Sequence, residues 1–253
     1  MTISFIAALL LIVAINGTQA SDSPQTTGKT QTNVASQTES GVPSVQMAGA
    51  GWQTLGKEDF VRVNGDPDTM RWDGDILRCS GLPIGVTRSK SSYKNFELTI
   101  QWRHNRAAGN SGVFAWVPMT ALENLPSGKL PDAGIEIQML DHGYATRYKQ
   151  QTGRDSDWFT TDGDVFAVGK SRMKPFPPIS PNGRRSFPTS RHSRGHGQWN
   201  QYYVRAINGQ VRLWVNGVEV SGGSESQPAE GYLCLEHEGS PIDFKNIRIR
   251  VLP

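Results

Sequence analysis

The sequence predicts an all-β protein, a sandwich of two antiparallel sheets with a long loop insertion. Three observations point there. Short runs of alternating apolar and polar residues follow one another from Trp52 to the C-terminus, Asn-Gly dipeptides separate some of them, and no stretch keeps a helical period for three turns. Many short strands with turn residues between them favour sheet packed on sheet.

The first element is not part of that fold. Residues 3–15 are almost wholly apolar and Thr18-Gln19-Ala20 ends them in a small-x-small pattern, which predicts a signal peptide over residues 1–20 and an exported protein, periplasmic or extracellular. The run is shorter than the roughly 20 residues a bilayer requires, and no later stretch is long enough, so no stable membrane insertion is expected. Residues 21–50 are rich in Ser, Thr, Gln, Gly and Ala and predict a flexible tether. The globular domain is expected over residues 51–253.

Within it, strands are expected at Phe60 to Val63, Met70 to Cys79, Gly85 to Ser89, Phe96 to His104, Ser111 to Pro118, Gly134 to Leu140, Gln201 to Ile207, Val211 to Val215, Gly231 to Glu236 and Phe244 to Val251. Asn208-Gly209 and Asn216-Gly217 are type I′ turn dipeptides and predict two successive hairpins. Ala121 to Leu125 supports one helical turn at most. Tyr144 to Gly197, which holds most of the prolines, reads as a loop excursion on one face.

Net charge is +3, and the basic excess is local. Val165 to Gln198 contains Lys170, Arg172, Lys174, Arg184, Arg185, Arg191 and Arg194 without one acidic residue. A solvated loop accounts for it, and the lack of a recognition-helix pattern in an exported chain argues against nucleic acid as a partner. Cys79 and Cys234, one in a strand near the start of the domain and one near its end, could pair in an oxidising compartment.

The stretch richest in chemistry is Gly134 to His142. Strand alternation sends Ile135, Ile137 and Met139 to one face and Glu136, Gln138 and Leu140 to the other, so one strand presents a carboxylate and an amide together. Asp141 and His142 follow at its end, and a neutral-range imidazole there suits proton transfer. Asn110-Ser111-Gly112 opens another strand with short polar side chains and a glycine that permits close approach. No His or Cys cluster has zinc spacing. Asp141, Asp162 and Asp164 could hold a divalent cation such as calcium, although Asp162-Gly163-Asp164 is far short of a complete calcium loop.

Gly51-Trp52-Gln53-Thr54-Leu55, Trp72-Asp73-Gly74-Asp75-Ile76-Leu77, Tyr93-Lys94-Asn95-Phe96-Glu97-Leu98, Gly109-Asn110-Ser111-Gly112-Val113-Phe114, the Glu136 strand, Gly197-Gln198-Trp199-Asn200, Val215-Asn216-Gly217 and the run from Gly239 to Ile249 stand in an order that resembles the 3-keto-disaccharide hydrolase family. The resemblance covers Gly51 to Pro253 and implies a concanavalin-like jelly roll acting on sugars whose third hydroxyl is oxidised to a ketone. The basic, Pro-rich stretch between Tyr148 and His196 departs from the commoner family pattern.

A ketone at the third carbon acidifies the hydrogen on the second, so the resemblance implies cleavage by β-elimination followed by hydration. Such chemistry needs a base, stabilisation of an enolate and a proton for the leaving oxygen. Glu136 is the first candidate base or metal ligand, with His142 and His237 as further catalytic candidates. Asn110, Ser111, Gln138, Asp141, Trp116 and Glu236 are the expected substrate contacts, and Trp102 and Trp158 could also stack on a sugar ring. Alternation puts Glu236 and His237 on opposite faces unless the strand bulges or ends between them. The carbohydrate substrate would come from a separate sugar 3-dehydrogenase, because the chain has no dinucleotide-binding glycine fingerprint. The alternative is a non-catalytic lectin-like module, which the same fold can serve, and an adhesion or scaffold protein is a third reading.

Overall fold

The structure, a computed structural model, describes residues 50–253; the predicted signal peptide and all of the tether but Ala50 lie outside them. Among the described residues no helix is long and apolar enough to cross a membrane.

The strands, in chain order, are β1 (Trp52–Thr54), β2 (Phe60–Arg62), β3 (Met70–Asp73), β4 (Ile76–Cys79), β5 (Gly85–Tyr93), β6 (Phe96–His104), β7 (Asn110–Val117) and β8 (Ala133–Leu140). After the helix α1 (Tyr144–Thr152) come β9 (Val165–Gly169), β10 (Arg172–Pro175), β11 (Arg185–Ser186), β12 (Asn200–Ile207), β13 (Gln210–Val215), β14 (Val218–Gln227), β15 (Gly231–His237) and β16 (Ile242–Val251). They form the two-sheet antiparallel sandwich that the sequence predicts. A nine-stranded sheet has the order β10-β14-β13-β12-β6-β16-β4-β3 with β1 beside β16, and a seven-stranded sheet has the order β11-β9-β8-β7-β15-β5-β2.

Period-two alternation fills the space between them. Phe96, Leu98, Ile100 and Trp102 of β6, Tyr202 and Val204 of β12 and Phe244 and Ile249 of β16 meet Val113, Ile135, Ile137, Met139, Leu233 and Leu235 from the other sheet in one buried cluster. Burial of each large apolar side chain is worth about 1.5–3 kcal/mol. The Tyr202 hydroxyl crosses the sandwich to donate to the Gln138 carbonyl at 2.8 Å, tying β8 to β12. Both Asn-Gly turns take the expected form, with positive φ at Asn208 and Gly209 and at Asn216 and Gly217.

The seven-stranded sheet is covered on its outward face as well. Phe114, Val117, Ala133 and Cys234 form a second apolar cluster with Ala121 and Leu122 of the β7–β8 connection. Further along, α1 and the loop after it cover the polar end of the same face. This helix falls within the excursion read as loop. It has no buried residue to give it an apolar stripe, and it is held by Gly153, left-handed at φ 68°, and by Tyr144 and Tyr148 packing on Phe159 with centroids at 5.7 and 5.3 Å.

The possible disulfide is not formed. Cys79 and Cys234 are both free and buried. Cys79 faces the interior between the sheets, whereas Cys234 sits in the outward cluster behind the seven-stranded sheet, so a sheet separates the two thiols. Thiol titration of protein prepared without reductant should find no reactive thiol in the native state and two after denaturation. Absence of free thiols from the denatured protein would contradict this placement.

Candidate active site

A cleft of about 390 Å³ opens on the outward face of the seven-stranded sheet. Its floor carries Asn110 of β7, Glu136 and Gln138 of β8, Glu236 of β15 and Glu238 just beyond. Its walls carry Tyr144 and Tyr148 of α1, Trp158 and Phe159, Phe166 of β9 and Arg185 of β11.

Gly112 is what lets two of the carboxylates meet. A Cβ there would stand 2.7 Å from Glu236 Oε2 and 3.3 Å from Glu136 Oε1. Only a residue without a side chain leaves that space. Both glutamates are buried, at 7% exposure for Glu136 and 0% for Glu236. Burial pushes the Glu136 carboxyl up to about 8, with Arg185 drawing it down and Glu238 and Asp164 raising it further. Glu236 is held well above the ordinary carboxylate range by burial, then by Glu136 and Glu238. Among the described residues no N–H or hydroxyl reaches either Glu236 oxygen, and the group beside it is the Glu238 carboxyl. A carboxyl in that setting keeps its proton.

A chain of hydrogen bonds orders the rest of the floor. Arg185 Nη1 donates to Gln138 Oε1 at 2.8 Å and to Asp164 Oδ2 at 3.4 Å. Gln138 Nε2 donates to Asn110 Oδ1 at 3.0 Å, and Asn110 Nδ2 donates to Glu238. Asp164 is fixed by the Thr160 backbone N–H at 3.0 Å and hydroxyl at 2.5 Å. Burial nonetheless pushes its carboxyl up to about 6. The Arg185 guanidinium lies over the Phe166 ring at 3.5 Å and near the Trp158 ring at 4.9 Å. Both of these hydrogen bonds use Nη1.

Of the residues singled out in the sequence, the structure brings Glu136, Gln138, Asn110, Glu236 and Trp158 into the cleft. The others lie elsewhere, each for a local reason. Trp116 falls where the pairing of β7 with β15 shifts register, and at φ 60° it turns inward beside Ala115. Its indole N–H donates to the Lys94 carbonyl. Trp102 is likewise in the core. Ser111 is fully buried and donates to the Glu236 carbonyl at 2.8 Å. Asp141 accepts N–H bonds from Ala108, Gly143 and His196; burial opposes its charge, but those bonds hold its carboxyl below the ordinary value. His142 contacts the Ser193 hydroxyl at 2.8 Å, outside the residues that line the cleft. The β15 bulge lies earlier, between Tyr232 and Cys234, so alternation holds and His237 points away from Glu236. A Cβ on Gly85 would meet its Cε1 at 2.9 Å, and burial lowers its imidazole to about 4.

Each carboxylate considered for a cation has protein donors in the structure. Asp141 and Asp164 are occupied by the donors named above, and Asp162 by Arg191 and Ser193. Among the described residues no group of three His, Cys, Asp or Glu is placed to hold a metal ion.

The sequence reading missed Arg185, Glu238, Tyr144 and Tyr148. Glu238 had a signal, since it stands two residues after Glu236 just as Gln138 follows Glu136. Arg185 had none, because nothing in its neighbourhood distinguishes it from the other cations of a basic loop.

Comparison with known proteins agrees with this architecture. Residues 46–250 match the family described as the 3-keto-alpha-glucoside-1,2-lyase-like domain. The chain is similar to a protein described only provisionally as a glycosyl hydrolase from Parabacteroides distasonis ATCC 8503, at 20% identity and a TM-score of 0.56 over 80% of this chain and 95% of that one. It is also similar to the carbohydrate-binding module CBM66 from Bacillus subtilis, at 12% identity and a TM-score of 0.52 over 76% and 95%. A Bacillus subtilis protein with a galectin-like fold, of unknown function, matches at 8% identity and a TM-score of 0.50 over 76% and 89%. No curated protein matches significantly.

The buried carboxyls make stability depend on pH in a definite sense. The unfolded chain releases the Glu136 proton near 4.5 and the folded chain near 8, so the folded state binds more protons between those values and loses stability as pH rises through them. Thermal unfolding should therefore show a wild-type midpoint that falls from about pH 5 to pH 8, with a smaller fall in Glu136→Gln. Identical pH slopes in the two proteins would contradict the burial of that charge.

Proposed function

From the premise that this chain belongs to the 3-keto-alpha-glucoside-1,2-lyase-like domain family, we propose that it is an exported enzyme that cleaves 3-keto-glycosides by elimination and hydration. The observation that carries the reading is the pair of buried carboxyls over Gly112, one beside a guanidinium and one beside another carboxyl. Those surroundings push two like groups apart in acidity, which is how acid and base roles are divided.

Glu136, the more acidic of the two, takes the hydrogen from the second carbon of the sugar. The electron pair of that C–H bond passes into the ketone as an enolate, whose oxygen receives N–H donors from Arg185. Collapse of the enolate forms a double bond between the first and second carbons and breaks the bond from the first carbon to the aglycone oxygen, which takes the proton of Glu236. Water then adds to the first carbon and returns a proton to Glu236 while Glu136 reprotonates the second carbon, so both carboxyls end as they began. Gln138 and Asn110 hold sugar hydroxyls. The oxidised substrate comes from a separate sugar dehydrogenase.

Two variants test these roles with a 3-keto-glucoside. Loss of a positioned base typically costs about 100-fold to 10,000-fold in rate, so Glu136→Gln should keep the fold by circular dichroism and lose activity on that scale for every aglycone. Glu236→Gln should lose more activity with an alkyl leaving group than with a nitrophenyl one, which needs no proton. Wild-type activity in Glu136→Gln would place the base elsewhere, and binding of the keto sugar without cleavage would make the protein lectin-like.

A further inference from the structure

Resting on that reading of the site, we propose that the natural leaving group is a planar aromatic aglycone, held in an apolar lobe of the cleft and selected by Trp158. The floor is not uniform. Along the outward face of β8 the residues run from Gln138 to Glu136 to Gly134, and at Gly134 polar side chains stop. Pairing sets Phe166 of β9 opposite Glu136 and Val168 opposite Gly134. Apolar side chains cover Gly134 itself, since a Cβ on it would stand 2.9 Å from a Val117 methyl and 3.3 Å from the Phe114 ring, and the cleft is lined there by Val168. Leu130 completes this carbon surface.

The wall of the same cleft is built from rings. Tyr148 and Trp158 stand at 5.9 Å, edge to face, and Trp158 also packs on Phe159 at 4.8 Å. Tyr148 and Trp158 are only half-buried, so part of their ring surface is open to a ligand. The polar side chains that also line the cleft here, Asn182 and Arg184, are exposed and stay hydrated. A second sugar carries hydroxyls around its rim, each of which needs a partner once water is removed, and Leu130 and Val168 offer none. A flat aryl group has no such requirement and matches ring faces held in place by neighbouring rings. This orients the substrate: the keto sugar lies over Glu136 and Gln138, and its first carbon points towards Val168 and Leu130.

The test compares methyl, phenyl and glucosyl 3-keto-glucosides as substrates, and unoxidised phenyl and methyl glucosides as inhibitors so that leaving-group ability does not enter. Phenyl glucoside should inhibit at least about tenfold more tightly than methyl glucoside, a difference of about 1.4 kcal/mol. The phenyl substrate should have a lower KM than the glucosyl one. Trp158→Ala should shrink the phenyl-to-methyl inhibition ratio about tenfold, and Trp158→Phe should restore most of it. Cleavage of the methyl substrate without any phenyl preference, or an equal preference for the glucosyl substrate, would overturn this proposal alone. No cleavage of any 3-keto-glucoside would overturn the catalytic reading and the leaving-group assignment with it.

Discussion

The arrangement of the cleft turns on carboxyls largely withdrawn from water. The outer face of an antiparallel sheet is ordinarily wet, and a glutamate there ionises freely. Here α1, the loop after it and the connection between β7 and β8 cover that face, so Glu136 and Glu236 are outward by alternation and buried by packing. A buried carboxyl must lose its charge or find a cation. Only Glu136 has Arg185 at hand, whereas the neighbours of Glu236 are acidic. The chemical difference between two identical side chains is thus set by one arginine from a distant part of the chain.

The sandwich can carry this burden because its own core does not share it. The interior cluster runs through both sheets without interruption, and the site occupies the far side of one of them. Apart from Glu236, the polar groups of the floor are linked in a chain from Thr160 through Asp164, Arg185, Gln138 and Asn110 to Glu238. Such a chain fixes side-chain positions before a ligand arrives, which spares the ordering of these groups on binding.

The sandwich was legible because its information is local. Alternation in Phe96 to His104, Gln201 to Ile207 and Gly134 to Leu140 names the core face directly, and each Asn-Gly pair needs nothing beyond its two residues to specify a turn. Glu136, Gln138 and Asn110 were legible for the same reason. The candidates that lie outside the cleft were placed by long-range packing or by a break in the period. Trp116 belongs by alternation with Phe114 on the outward face, and one left-handed residue at the bulge puts it in the core. Asp141 and His142 looked catalytic at the end of a strand, yet their partners are His196 and Ser193 on the returning chain. Arg185 and the tyrosines of α1 reach the cleft only because the excursion folds back over the sheet.

Gly112 gives the site an evolutionary address. Any other residue type there sets a side chain against the tip of Glu236, a flexible group that can swing aside without disturbing the strands. Alanine is one nucleotide away from every glycine codon. A single point mutation could therefore dissolve the carboxyl pair while leaving the sandwich, the aromatic wall and the cleft intact.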